Sequence, residues 1–78
     1  MNLRLQPVRV RTGSSDTDGL LVFTGEYLVA VLVQLSEEHG EHTGFWFLEA
    51  GFDGAEDLTR PTFRDLEEAQ AWIEQRIG

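Results

Sequence analysis

Cysteine and lysine are absent from this 78-residue chain, and proline occurs only twice. Without cysteine there are no disulfides and no thiolate metal sites, two of the usual ways a small chain compensates for a thin core. Such compensation matters because a domain of about this size buries only roughly 60% of the surface its unfolded chain exposes. What remains is an oxygen or imidazole metal site, or a second subunit. Long apolar runs are missing too. The longest, Tyr27 to Val33, is far short of the ~20 residues that span a bilayer. The opening "MNLRLQPVRVR" alternates with arginine, which predicts neither a signal peptide nor an anchor. The expectation is a cytoplasmic protein with no membrane contact.

Recognisable catalytic machinery is also lacking. Lysine chemistry is excluded, and there is no Gly-rich phosphate loop and no nucleophile elbow. Ser14, Ser15 and Ser36 fall in loops with no base or orienting group to go with them. The adjacent carboxylates Glu37 and Glu38, or Glu67 and Glu68, read as solvated faces. No enzyme activity and no cofactor is expected.

Six arginines stand against fourteen Asp and Glu, a formal charge of −8. That field repels phosphate backbones, so direct nucleic-acid binding is not expected. The charge is uneven. Arg4, Arg9 and Arg11 make the start basic, and acidic residues predominate from Asp16 onward.

With no internal repeat or low-complexity linker, residues 1–78 read as one domain. Leu3 and Leu5, then Val8 and Val10, alternate with polar residues, and the apolar parity flips at Pro7. A one-residue β-bulge at the proline would restore a single apolar face, and the missing donor places this strand at a sheet edge. "TGSSDTDG", Thr12 to Gly19, resembles a calcium-loop fragment, but Gly25 falls where the bidentate glutamate belongs. It reads instead as an Asp-rich turn whose side chains bond their own backbone. Leu20 to Phe23 and Tyr27 to Leu35 are strands split by the hairpin signal Thr24-Gly25-Glu26, and Phe45 to Phe52 is a further strand. Asp65-Leu66-Glu67-Glu68 is a capping box, with Phe63 just ahead of it to fix the helix onto the sheet. Leu66, Ala69, Trp72, Ile73 and Ile77 then recur at helical spacing, and Gly78 supplies the stop. The fold class predicted is α+β: an antiparallel β-meander of about four strands, with one carboxy-terminal amphipathic helix packed on one face.

The two central strands carry more apolar surface than one helix covers. Tyr27 to Leu35 is apolar at odd and even positions alike, and Phe45 to Phe52 nearly so. An antiparallel sheet wetted on one face should be polar there. A helix of about twelve residues, ~18 Å long, covers one face at best. Leu28, Ala30, Leu32, Phe45 and Phe47 are therefore the expected interface of a homodimer or a protein partner, rimmed by Arg4, Arg9 and Arg11. The alternative cover is the first strand or the loop Asp53 to Thr62 folding across that face.

"SEEHGEHTG", Ser36 to Gly44, holds two histidines and three glutamates. His39 and His42 with Glu37 could hold zinc or nickel, but a loop tip between strands offers few hydrogen bonds to orient such ligands, so it reads as a solvated hairpin tip and no metal is expected. The function predicted is a non-enzymatic protein-interaction module. Two further classes stay open: an acidic regulator or nucleic-acid mimic occupying a basic groove on another protein, and a metal-binding protein using the His39/His42 loop.

Overall fold

A computed structural model describes residues 3–13 and 16–77, excluding the side chains of residues 38 and 39. The chain runs β1 (Arg4–Arg9), β2 (Asp18–Thr24), β3 (Tyr27–Gln34), a 3-10 segment (Glu37–His42), β4 (Trp46–Gly51), β5 (Thr62–Phe63) and α1 (Leu66–Arg76). The five strands form one antiparallel sheet in sequence order, β1-β2-β3-β4-β5, so the α+β meander is present with one strand more than expected. The additional strand, β5, is two residues long and pairs Phe63 with Trp46 and Thr62 with Phe47.

β1 is an edge strand, where a proline without a donor is tolerated. The bulge expected at Pro7 is absent. β1 pairs with β2 in unbroken register from Arg4↔Phe23 to Arg9↔Asp18. Leu3 and Leu5 therefore pack on the helix side, while Val8, opposite Gly19, belongs to the other face. The parity flip is real: the strand contributes to two faces.

Bulges occur instead in the central strands. Val22 pairs with Ala30 but Phe23 with Leu28, leaving Val29 as the extra residue. Val31 pairs with Ala50 but Leu32 with Leu48, leaving Glu49 extra. Between β2 and β3 the chain turns through Gly25 and Glu26. The positive φ of 58° at Gly25, the first loop position, is that of a type II′ hairpin.

The core lies between the sheet and α1. Leu20, Val22, Ala30, Leu32, Leu48 and Phe63 meet Ala69, Ile73 and Ile77, with Trp46, Leu66 and Trp72 half-buried around them. Asp65 caps α1, its Oδ1 accepting from the Glu68 N–H at 2.8 Å. Glu68 reaches back to the Arg64 N–H at 3.0 Å, one residue further than the usual capping box. Phe63 and Trp72 rings lie 5.5 Å apart, which ties β5 to the middle of the helix. Gly78, the expected stop, lies outside the described residues; the Ile77 N–H bonds to the Ile73 carbonyl.

The loop from Phe52 to Pro61 stays on the helix side. Ala55 is fully buried in the core. Arg76 donates to the carbonyls of Gly54 and Glu56, approaches Asp57 at 3.5 Å and lies over the Trp72 ring at 4.6 Å. Hydrogen bonds from the Thr59 hydroxyl and N–H hold the Asp57 carboxyl below its ordinary value, with Arg76 adding to the effect.

Candidate functional site: the open sheet face

Residues directly opposite one another on paired strands point to the same side of a sheet, so the register sorts the two faces. Opposite the helix, the rows are Val8–Gly19–Val33–Phe47–Thr62, Gln6–Leu21–Val31–Ala50 and Arg4–Phe23–Leu28. This face is apolar across its middle, and its residues stand outside the helix-side core cluster. Leu21, Phe23, Leu28, Val31, Phe45 and Phe47 are half-buried. Neighbouring side chains of the sheet shield them, and at Phe45 the His42 ring does so too.

The expected interface set is split by this geometry. Leu28, Phe45 and Phe47 belong to the open side. Ala30 and Leu32 do not: both are 0% exposed, in the core under the helix. The pairing of Leu32 with Leu48 and of Val33 with Phe47 decides this, because it groups even positions of β3 with even positions of β4. Leu21, Phe23 and Val31 take their place on the open face. Alternation within β2 and β3 carries that signal, but which alternate goes where depends on pairing.

One end of the face is covered from within the chain. Val33 and Leu35 are 2% and 9% exposed yet lie outside the helix-side core. Among the described residues, Thr12 and Asp16 of the β1–β2 connection lie beside them there, where β1 or the Asp53 to Thr62 loop was the expected cover. Buried Asp16 ties this connection down: its Oδ1 accepts from the Ser36 N–H at 2.7 Å, and its carbonyl accepts from the Thr12 hydroxyl at 2.9 Å. The local Asp turn expected here is thus, at Asp16, a link to a segment twenty residues further on.

Beside this cover lies a recess of about 450 Å³, lined by Thr12, Asp16, Val33, Leu35, His42, Phe47, Glu49 and Thr62. Its floor is apolar and two carboxylates border it. Glu49 reaches the recess by simple alternation from Phe47, two residues before it on β4, and Arg60 approaches it at 3.5 Å in a partly exposed pair.

Of the expected arginine rim, Arg4 lies on the open face with its guanidinium 4.3 Å from the Phe23 ring centroid. Arg9 is on the opposite side of β1, bound to Thr17 at 2.8 Å and to Asp18 at 3.4 Å. Arg11 is exposed beyond the strand.

The Ser36 to Gly44 stretch is the tip of the β3–β4 hairpin, exposed at Glu37 and at residues 40–43, and is wound as a pair of 3-10 turns kinked at Gly40, with φ 57° and ψ −117°. The His42 ring meets Phe45 edge-on at 5.1 Å, so it is turned toward the sheet end. Glu37 is exposed, and the side chain of His39 lies outside the described residues. Among the described residues, no three His, Asp or Glu side chains converge as a metal site. No helix among them is long and apolar enough to cross a membrane. No family model, no curated protein and no solved structure matches the chain.

Proposed function

We propose that the chain is a non-catalytic protein-interaction module that buries its open sheet face against another protein, a second copy of itself being the simplest occupant. The observation that carries this reading is the row structure of that face: Leu21, Phe23, Leu28, Val31 and Phe47 adjoin one another on the side away from α1, with no α-helix over them among the described residues. From strand spacing and rise, the face is about 20 by 20 Å, on the order of 400 Å². Its apolar middle is smaller than this, within the range of the largest patch on a typical monomer, and such patches often have a binding role. Two such faces together bury roughly 800 Å², below the ~1,200–2,000 Å² of standard stable complexes, so self-association falls at the weak end.

The acidic-mimic reading has less behind it, because the open face carries few acids: Asp16 and Glu49 sit at its recess rather than in a row along it. Sedimentation equilibrium over a wide concentration range is the test. The expected result is an average mass rising above 8.8 kDa with concentration. A mass fixed at the monomer value throughout removes the second copy as occupant.

A further inference from the structure

We propose that the recess at the end of the open face receives the side chain of an arginine or lysine from the protein seated there, with its aliphatic stem on the floor and its cationic head between Asp16 and Glu49. This inference rests on the interaction reading and adds the chemistry of the partner.

The floor is Val33, Leu35 and Phe47, and the space of about 450 Å³ is within the range of pockets that bind small ligands. Val33, Phe47 and Thr62 form one row across three strands, so the floor rests on paired backbone rather than on a loop. The aromatic ring of Phe47 and the flat aliphatic floor suit the methylene stem of a long cationic side chain.

Charge selects the head group. Asp16 and Glu49 line the recess and no arginine does. Asp16 is only 8% exposed, so its carboxylate already sits in a poorly hydrated setting. A purely apolar occupant would strip the remaining water from the Glu49 carboxylate and return nothing. An anion would meet those carboxylates and a net charge of −8. A guanidinium or ammonium replaces the lost hydration with charge-assisted hydrogen bonds. The Arg60 contact to Glu49 is no obstacle, since the two side chains are 58% and 34% exposed and such pairs exchange readily with solvent.

The partner implied is a protein surface in which a basic side chain borders an apolar patch. A second copy offers one such side chain on its own open face, Arg4, whose guanidinium lies beside the apolar ring of Phe23.

The probe is n-hexylamine, with n-hexanol and hexanoate as neutral and anionic controls of matched length. Each is titrated at neutral pH while amide resonances are followed by NMR, in the wild type and in Leu21→Glu. Leu21 lies on the open face outside the recess, so the variant leaves the recess accessible where self-association would cover it. The expected result is saturable shifts at Val33, Phe47 and Thr62 with the amine, in the wild type or in the variant. Binding of the alcohol should be at least fivefold weaker, hexanoate should not bind, and Glu49→Gln should weaken the amine at least threefold. Equal binding of alcohol and amine, or no saturable amine binding to either protein, overturns the proposal. Sedimentation of the same samples reads the interaction surface separately, so a failed recess is distinguishable from a face that does not associate.

Discussion

Gly51, at the end of β4, lies so close to the backbone of Ala55 that a Cβ on it would overlap the Ala55 carbonyl. Gly51 pairs with Ala30 across the sheet, while Ala55 is fully buried in the core. The loop that leaves the sheet at Phe52 therefore folds back against the strand it came from, and only a residue without a side chain permits this. Backbone atoms cannot rotate away as a flexible side chain could. Gly51→Ala is accordingly expected to lower stability by about 1–3 kcal/mol, as overpacking of a tight site does. The check is urea unfolding followed by tryptophan fluorescence; an unchanged midpoint would mean that the loop is not seated on β4.

The helix side should carry most of the stability. Ile73 is 0% exposed at the centre of the helix stripe, and Ile73→Ala is expected to cost about 2–5 kcal/mol. Trp72 is only half-buried, but its ring contacts Phe63 and supports Arg76. Trp72→Ala should fall toward the lower end of the ~3–5 kcal/mol typical of buried aromatics. Both should exceed His42→Ala, whose side chain is exposed. Thermal unfolding of the three variants orders them, and equal losses at Trp72 and His42 would contradict this placement of the core.

Local chemistry made the helix legible. The Asp65 cap, the Glu68 return and the Ala69, Ile73, Ile77 stripe all depend on residues a few positions apart. The edge position of β1 followed from one proline, and the β2–β3 hairpin from Gly25. The two faces of the sheet were not legible in the same way. Their membership depends on which residue of β3 stands opposite which of β4, and on extra residues at Val29 and Glu49 that exist only as a mismatch between paired strands. Counting parity along each strand separately therefore put Ala30 and Leu32 with Phe45 and Phe47. β5 escaped for a similar reason, since two residues have no period and become a strand only by pairing with Trp46 and Phe47. The partner of Asp16, the Ser36 N–H, is likewise invisible until the β1–β2 connection meets the end of β3.

Acid should loosen the Asp57 loop. Its carboxyl titrates lower in the folded chain than its ordinary value of 3.8, chiefly through the bonds from Thr59. A group depressed on folding favours the folded state above its unfolded value, and that contribution disappears as pH falls through the folded one. The wild type should thus be more stable than Asp57→Asn at neutral pH, and the gap should close well below pH 3.8. Denaturant midpoints of both proteins at the two pH values measure it. A gap that persists undiminished in acid would assign the effect to packing rather than charge.

Added metal should leave unfolding unchanged. The open grouping of Glu37 and His42, with the His42 ring against Phe45, offers zinc or nickel no convergent set of ligands among the described residues. A metal bound only to the folded chain would stabilise it by ~2.7 kcal/mol at a hundredfold excess over its dissociation constant. Equimolar zinc and nickel during thermal unfolding provide the measurement. A rise that vanishes in His39→Ala would restore the loop as a metal site.

The two leucines at positions 21 and 32 should respond oppositely to the same substitution. Leu32 is 0% exposed beneath the helix and pairs with Leu48, so Leu32→Glu places an unpaired carboxylate in the core and should abolish folding. Leu21 lies on the other side of the sheet, half-buried, between Gln6 and Val31. There the new carboxylate can reach solvent in the monomer but not within an association of open faces. Leu21→Glu should therefore keep the wild-type circular dichroism and a cooperative unfolding transition while sedimenting as the 8.8 kDa monomer at concentrations where the wild type associates. Phe47→Glu, on the adjoining row of the same face, should do likewise. If both variants associate as the wild type does, the contact lies elsewhere, and the exposed β1 edge or the protruding Leu58 becomes the surface to vary.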